Sequence, residues 1–329
     1  MAWFTVRWLI TGGAGFIGSH LAERLIDYGD TVTVLDDLST GSARNVANVR
    51  HHNRFDLVVG SVTDWPIVAE LVDDSDCVVH LAAVVGVRNV VESPVHTIEL
   101  NVHGTEIVLR AAARKGRSVL VASTSEVYGK SDTVPFREDQ DLVLGPSTKG
   151  RWSYAASKLV DECLALAYFR EKHLPATVVR LFNTVGPRQT GRYGMVIPTF
   201  VDRALKNEPL DVYGTGTQSR CFCHVDDTVR ALHELCTKGA AIGQIVNVGS
   251  REEVTIEALA KRVIAVTGSR SVIQRVSYET AYGEGFEDML RRVPDIGKAD
   301  FLIGWKPTKT LVDILQDVVA HDLLQKEQA

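Results

Sequence analysis

The stretch ITGGAGFIGSH, residues 10–20, decides how the rest of the chain is read. The apolar run Thr5–Thr11 stops at Gly12, further glycines follow, among them Gly15 and Gly18, and an amphipathic pattern begins at Phe16 and runs to about Tyr28. This predicts a strand that turns tightly into a helix. Small residues are needed at such a turn because the backbone must approach a pyrophosphate and the helix must pack closely on the sheet, while its N-terminus faces the phosphates. Asp36, at the end of the next apolar run TVTVLD and 18 residues after Gly18, extends the pattern. A carboxylate there accepts hydrogen bonds from a ribose diol and repels a 2′-phosphate, which favours NAD over NADP. Asp64, in GSVTD, is either a contact to the adenine or a solvated loop residue.

Working outward, short apolar runs alternate with longer amphipathic stretches. DCVVHLA, SVLVAS, ATVVRLF and GQIVNVGS read as strands, with helices near 66–72, up to Lys115 and through SYAASKLVDECLALAYFREK. Repeated strand and helix builds a parallel sheet covered on both faces, so the fold class is α/β, a doubly wound parallel sheet. Residues 1–182 are assigned to a dinucleotide-binding domain to which 211–249 return. Residues 183–210 and 250–329 fit the series less well and are assigned to a smaller C-terminal α/β lobe.

Composition limits the alternatives. The 329 residues are 45% hydrophobic and 23% charged, ordinary for a globular chain, and the net charge of −5 gives no reason to expect nucleic acid as a partner. Five irregularly spaced cysteines fit reduced thiols better than a disulfide framework. The opening MAWFTVRWLITGG lacks the parts of a signal peptide, and no segment approaches the roughly 18 apolar residues of a membrane span. A cytoplasmic protein with no membrane partner is expected. Cys221 and Cys223 alternate on a strand without a second ligand pair, so no metal site is expected.

Chemistry enters with VASTSEVYGK, residues 121–130, and RWSYAASK, residues 151–158. Tyr154 and Lys158 are spaced i,i+4 and share a helical face. A neighbouring ammonium lowers a phenol's pKa, which lets Tyr154 take a proton from a substrate hydroxyl, and Thr124 can hydrogen-bond the same hydroxyl.

With these residues the chain resembles the extended short-chain dehydrogenases/reductases of the nucleotide-sugar epimerase, dehydratase and decarboxylase group, from about Val6 to Pro307. The resemblance implies a Rossmann-type domain holding NAD at Gly12, Gly15, Phe16, Ile17, Gly18, Asp36 and HLAA (Leu81, Ala82 and Ala83 after His80), with Thr124, Tyr154 and Lys158 as catalytic triad. It implies a nucleoside-diphosphate sugar in the C-terminal lobe, touched by Asn183 and Arg188 of RLFNTVGPR and by Arg220 of YGTGTQSRCFCHVDD. A homodimer formed through Val95–Lys115 and Tyr154–Lys172 is expected on the same ground.

Members oxidise the sugar, usually at C4, and differ afterwards. Sugar 4,6-dehydratases often carry Asp-Glu after the triad Thr; here Ser125 and Glu126 follow it, which is similar to UDP-glucuronate decarboxylases. YGEGFEDMLRRVPD, Tyr282–Asp295, also resembles a decarboxylase segment whose Arg, Arg292 here, works at the carboxylate of the sugar. A guanidinium suits that task because its planar fork holds a carboxylate in two parallel hydrogen bonds. The expectation is therefore decarboxylation of UDP-glucuronate through a 4-keto intermediate. One loop points elsewhere: Gly86-Val87-Arg88 resembles UDP-glucuronate 4-epimerases, in which an Arg88 would hold the carboxylate in place. UDP-sugar 4-epimerisation is thus the alternative, and a catalytically silent NAD-binding regulator is disfavoured by the complete triad.

Overall fold

A computed structural model describes residues 5–86, 90, 93–191, 194–282 and 289–327. In chain order the strands are β1 (Arg7–Thr11), β2 (Thr31–Asp36), β3 (Phe55–Val59), β4 (Cys77–His80), β5 (Ser118–Thr124), β6 (Ala176–Leu181), β7 (Thr184–Val185), β8 (Leu210–Tyr213), β9 (Ser219–Cys221), β10 (Cys223–His224), β11 (Ile245–Val248), β12 (Glu253–Thr255) and β13 (Ile273–Val276). The helices are α1 (Phe16–Asp27), α2 (Trp65–Asp73), α3 (Pro94–Lys115), α4 (Trp152–Lys172), α5 (Val196–Leu205), α6 (Val225–Thr237), α7 (Ile256–Thr267), α8 (Tyr278–Tyr282), α9 (Gly297–Ile303) and α10 (Leu311–Glu327).

Seven strands form one sheet in the order β11-β6-β5-β4-β1-β2-β3, and every neighbouring pair in it is parallel. Both faces are covered, so adjacent residues of a strand must both be apolar. Leu9, Val78 and Val119 face α2, α3 and α4, while Ile10, Val79 and Leu120 face α1 and α6. Each such fully buried side chain contributes about 1.5–3 kcal/mol of transfer free energy. The chain is therefore an α/β protein with a Rossmann-type sheet, as its strand and helix rhythm indicates.

The smaller lobe has its own core, in which Ile197, Phe200, Leu210, Val212, Leu259 and Ile314 meet. Its strands are short: β8 pairs with β13, and β9 pairs antiparallel with β12. Of residues 211–249, then, only the later part lies on the large sheet, through α6 and β11; β8 and β9 are bound by their hydrogen bonds to the smaller lobe. Conversely, Ala299, Ile303 and Trp305 of the C-terminal stretch pack into the large-sheet core. No helix among the described residues is long and apolar enough to cross a membrane.

Candidate active site

In the sheet order, the chain runs one way from β1 to β2 and β3 and the other way through β4, β5 and β6. Between β1 and β4 the connections diverge, and the crevice beyond the C-terminal ends of those strands is where open α/β sheets bind ligands. A cavity of about 570 Å³ opens there and extends to the smaller lobe.

Gly12, Gly15, Phe16, Ile17 and Gly18 form the floor of its near end. Gly12 has φ +70°, and a Cβ on it would stand 2.8 Å from the Ala82 nitrogen. A Cβ on Gly18 would stand 2.5 Å from the Gly12 carbonyl oxygen, so α1 could not seat against the turn. The first turn of α1 carries no acidic side chain, and its positive end is left for an anion. Asp36 closes this end, accepting from the Ala14 and Leu38 amides, each at 2.9 Å. Burial pushes its carboxyl up, and these amides pull it back. Leu81, Ala82 and Ala83 complete the wall. Glycines that admit no side chain, a helix whose first turn carries no acidic residue and a carboxylate at the end of β2 fit a dinucleotide with a free ribose diol. Asp64 stands outside the cavity wall: its carboxylate caps α2, accepting from the Ile67 amide at 3.5 Å.

Further along, β5 delivers Thr124, and the 3-10 turn Ser125–Tyr128 that follows it delivers Ser125 and Glu126. The first turns of α4 present Tyr154 and Lys158 to the same space, with Thr124 beside the phenol. Behind them, Glu162 of α4 accepts from Arg180 of β6 at 2.8 and 2.9 Å and from Ser123, which fixes the helix against the sheet. The Lys158 ammonium donates to the Asp161 carboxylate at 2.7 Å, both groups being buried. Burial raises the Tyr154 pKa, Glu126 adds to the rise, and Thr124 only partly offsets it, so the hydroxyl is held well above its ordinary value.

Glu126 is ringed by cations. Arg292 donates to one of its oxygens, Arg151 lies 3.3 Å from the other, and Arg220 adds its charge. Burial alone would raise the Glu126 carboxyl, but Arg292 and then Arg151 and Arg220 outweigh it and hold the group below its usual range. Arg292 is 7% exposed, and its Nε is buried with no hydrogen-bond partner among the described residues. Arg220 donates to the Ser219 carbonyl at 2.8 Å, and the Asn183 amide to the Cys221 carbonyl at 3.0 Å; both side chains line the cavity. Arg188 also reaches the wall, but its guanidinium is occupied by Glu23 at 2.6 Å, the Asn45 carbonyl at 2.6 Å and the His20 ring. Arg88 and the side chain of Tyr282 lie outside the described residues.

Two groups of site residues are given no role in the sequence reading. Arg151 and Asp161 sit three residues either side of Tyr154 and Lys158, a helical spacing that would have marked them. The far end of the cavity, where Phe200, Tyr213 and Tyr278 converge and Arg203 pairs with Asp211, is assembled from separate segments and has no local motif.

Comparison with known proteins gives this geometry a context. A model of the NAD dependent epimerase/dehydratase family matches residues 8–249. The chain is 40% identical over 314 residues to the UDP-N-acetyl-alpha-D-glucosaminuronate decarboxylase of Bacillus cytotoxicus, covering 95% of this chain and 96% of that protein. It is 38% identical to UDP-glucuronic acid decarboxylase 1 of Danio rerio, covering 96% of this chain and 72% of the relative. Among solved structures, UDP-glucuronic acid 4-epimerase from Bacillus cereus, in complex with UDP-glucuronic acid and NAD, superposes with a TM-score of 0.87 at 27% identity, over 97% of this chain and 99% of that one.

Proposed function

Because the chain belongs to the NAD dependent epimerase/dehydratase family, we propose that it is an enzyme that decarboxylates a UDP-uronate, with UDP-glucuronate as substrate and UDP-xylose as product. The observation that carries this reading is Arg292: a buried guanidinium in the cavity wall, anchored through Nη2 to Glu126, with Nε unpartnered. Such an arrangement supports capture of a carboxylate, since a guanidinium in the wall, held in place by Glu126, can present its planar fork to an acid.

NAD would be held by Gly12, Gly15, Phe16, Ile17 and Gly18 at its phosphates, by Asp36 at its ribose diol, and by Leu81, Ala82 and Ala83 along its length. The chemistry it supplies when bound is acceptance and return of a hydride at C4. Tyr154 takes the C4 hydroxyl proton and later restores it, while Thr124 holds that oxygen in line and Ser125 lines the turn beside it. Lys158 braces the base from the next helical turn. The sugar oxidised at C4 is a β-keto acid, so the C5–C6 bond breaks with its electron pair passing into the C4 carbonyl and C6 leaving as CO2. Arg292 keeps the carboxylate oriented until it departs. C5 then gains a proton from water, with the Glu126–Arg292 pair lining the approach. Arg220 and Asn183 hold the diphosphate end, and Phe200, Tyr213 and Tyr278 enclose the base.

We also propose that two copies pair through α3 and α4, whose outer faces leave Val95, Ile98 and Val160 exposed. Incubation with UDP-glucuronate, and in parallel with its 2-acetamido counterpart, followed by mass spectrometry, tests the function. Loss of the mass of CO2 supports it. A product of unchanged mass, UDP-galacturonate, assigns the chain to the 4-epimerases instead, and no turnover of any UDP-sugar leaves an NAD-binding regulator.

A further inference from the structure

Arg188 stands where three segments meet. It follows β7, on the stretch that leads into the smaller lobe, and its side chain reaches back to α1 and to the 3-10 turn Ala43–Val46 after β2. Each terminal nitrogen of a guanidinium carries two N–H groups, and here all four are used. Nη1 donates to Glu23 Oε1 at 3.0 Å and to the Asn45 carbonyl at 2.6 Å, and Nη2 donates to Glu23 Oε2 at 2.6 Å and to His20 Nδ1 at 2.9 Å. His20 donates from Nε2 to the Pro187 carbonyl at 2.9 Å, which leaves its Nδ1 as the acceptor. The Arg188 backbone has φ +70°, a left-handed conformation that a non-glycine residue keeps where its surroundings fix it. The end of the fork is thus spent inside the protein, although the residue reaches the cavity wall.

From Arg188 the contacts lead to Asp36. Asn45, whose carbonyl Arg188 holds, donates from Nδ2 to the Ala14 carbonyl at 2.8 Å, and the Ser42 amide donates to the same oxygen at 3.0 Å. The Ala14 amide in turn donates to the Asp36 carboxylate at 2.9 Å. Glu23 also accepts from the Asn48 side chain at 2.9 Å, just past the 3-10 turn. Residues 37–45 are thereby folded over Asp36: a Cβ on Gly41 would stand 2.8 Å from its Oδ1. Asp37, Ser39, Thr40 and Asn45 form the cavity wall at this end. We infer that Arg188 is a positioning residue for the dinucleotide: it clamps residues 37–45 over Asp36 and keeps the pocket for the adenosine ribose formed. This rests on the reading of the crevice as the NAD site. A ligand that needs a closed loop binds with its affinity reduced by the fraction of molecules in which the loop is closed. Loss of the clamp therefore weakens NAD and leaves the uridine end as it was.

Calorimetric titration of the intact protein with NAD, with ADP-ribose and with UDP tests this without turnover. In Arg188→Met the Kd values of NAD and ADP-ribose are expected to rise tenfold or more, and that of UDP to stay within twofold. Hydrogen exchange in the ligand-free variant is expected to quicken tenfold or more at residues 38–46 and to stay unchanged across β5. Arg188→Lys, which keeps the charge without the fork, is expected to fall between wild type and Arg188→Met. Glu23→Gln weakens the clamp from a position outside the cavity wall. It is expected to raise the Kd of NAD threefold or more, and it carries the test if Arg188→Met does not fold; if neither folds, the pair serves the fold alone and the inference fails. Unchanged NAD affinity in the variants overturns the inference. So does a loss of UDP affinity as large as that of NAD, which would return Arg188 to the nucleotide sugar or to a general structural role. A wild type that binds UDP but neither NAD nor ADP-ribose overturns the reading of the crevice, and the inference with it.

Discussion

Replacing Arg292 by alanine removes the guanidinium that bonds Glu126 and lines the cavity. A fork that holds a carboxylate makes two charge-assisted hydrogen bonds, each worth about 1.5–3 kcal/mol. Their sum, about 3–6 kcal/mol, corresponds to a loss of about 10²–10⁴ in kcat/KM for UDP-glucuronate, at 1.36 kcal/mol per tenfold. Because the carboxylate must be held as the C5–C6 bond breaks, the loss is expected chiefly in kcat. Stability should suffer less than the 3–5 kcal/mol usual when one partner of a buried pair is deleted. Arg151, 3.3 Å from Glu126, and Arg220 remain to compensate it. The assay is CO2 release and NAD absorbance with UDP-glucuronate, beside oxidation of UDP-glucose, which has no carboxylate. Arg292→Lys, which keeps the charge but loses the fork, should fall between. The reasoning is refuted if kcat/KM for UDP-glucuronate falls less than tenfold, or if UDP-glucose is affected as strongly.

Tyr154→Phe should abolish turnover, with the affinity for NAD, read by fluorescence titration, changed less than tenfold; activity near wild type would remove Tyr154 from the role of base. Asp36→Ala should weaken NAD binding and narrow its advantage over NADP, since both the diol contact and the repulsion are lost; unchanged selectivity would make the carboxylate a bystander. Acid sensitivity should come in part from the buried histidines. Burial, with Arg188 beside it, lowers the His20 pKa from 6.5 to about 4. Between those two values the unfolded chain binds a proton that the folded one does not, so stability falls as pH drops from 6.5 towards 4. Melting temperatures of the wild type and His20→Gln across this interval check it, and parallel curves would contradict it.

What the sequence discloses is what local geometry controls. The turn at Gly12, the helix begun at Phe16, Asp36 at a strand end and the Tyr154–Lys158 face all depend on neighbours a few residues away, and each is where its spacing puts it. The surroundings of the Tyr154 phenol were not legible: the i,i+4 rule places the lysine on its helix, but burial and Glu126, from a distant segment, raise its pKa. For Arg188 the resemblance implies a contact to the nucleotide sugar; that its guanidinium also pairs with Glu23, 165 residues away, no local spacing shows. Asp64 fits an adenine contact by position, and the start of α2 uses it as a cap. The Arg292–Glu126 pair spans 166 residues, and a resemblance, not periodicity, was needed to anticipate that Arg292 works at the site.

The path of the chain between the two lobes limits how this protein can be re-engineered. It leaves the large sheet after β6, comes back for α6 and β11, and leaves again, with residues 296–305 returning once more to the large core. The smaller lobe, proposed to hold the sugar, is consequently not a cassette that can be cut out and exchanged for one with another specificity. A fragment ending at residue 182 would lack β11, whose ladder with β6 runs from Ile245↔Val178 to Val248↔Leu181, and would present β6 as a bare edge open to pairing with other chains. Changes of specificity in this framework must come through substitutions and loop exchanges inside an unbroken chain.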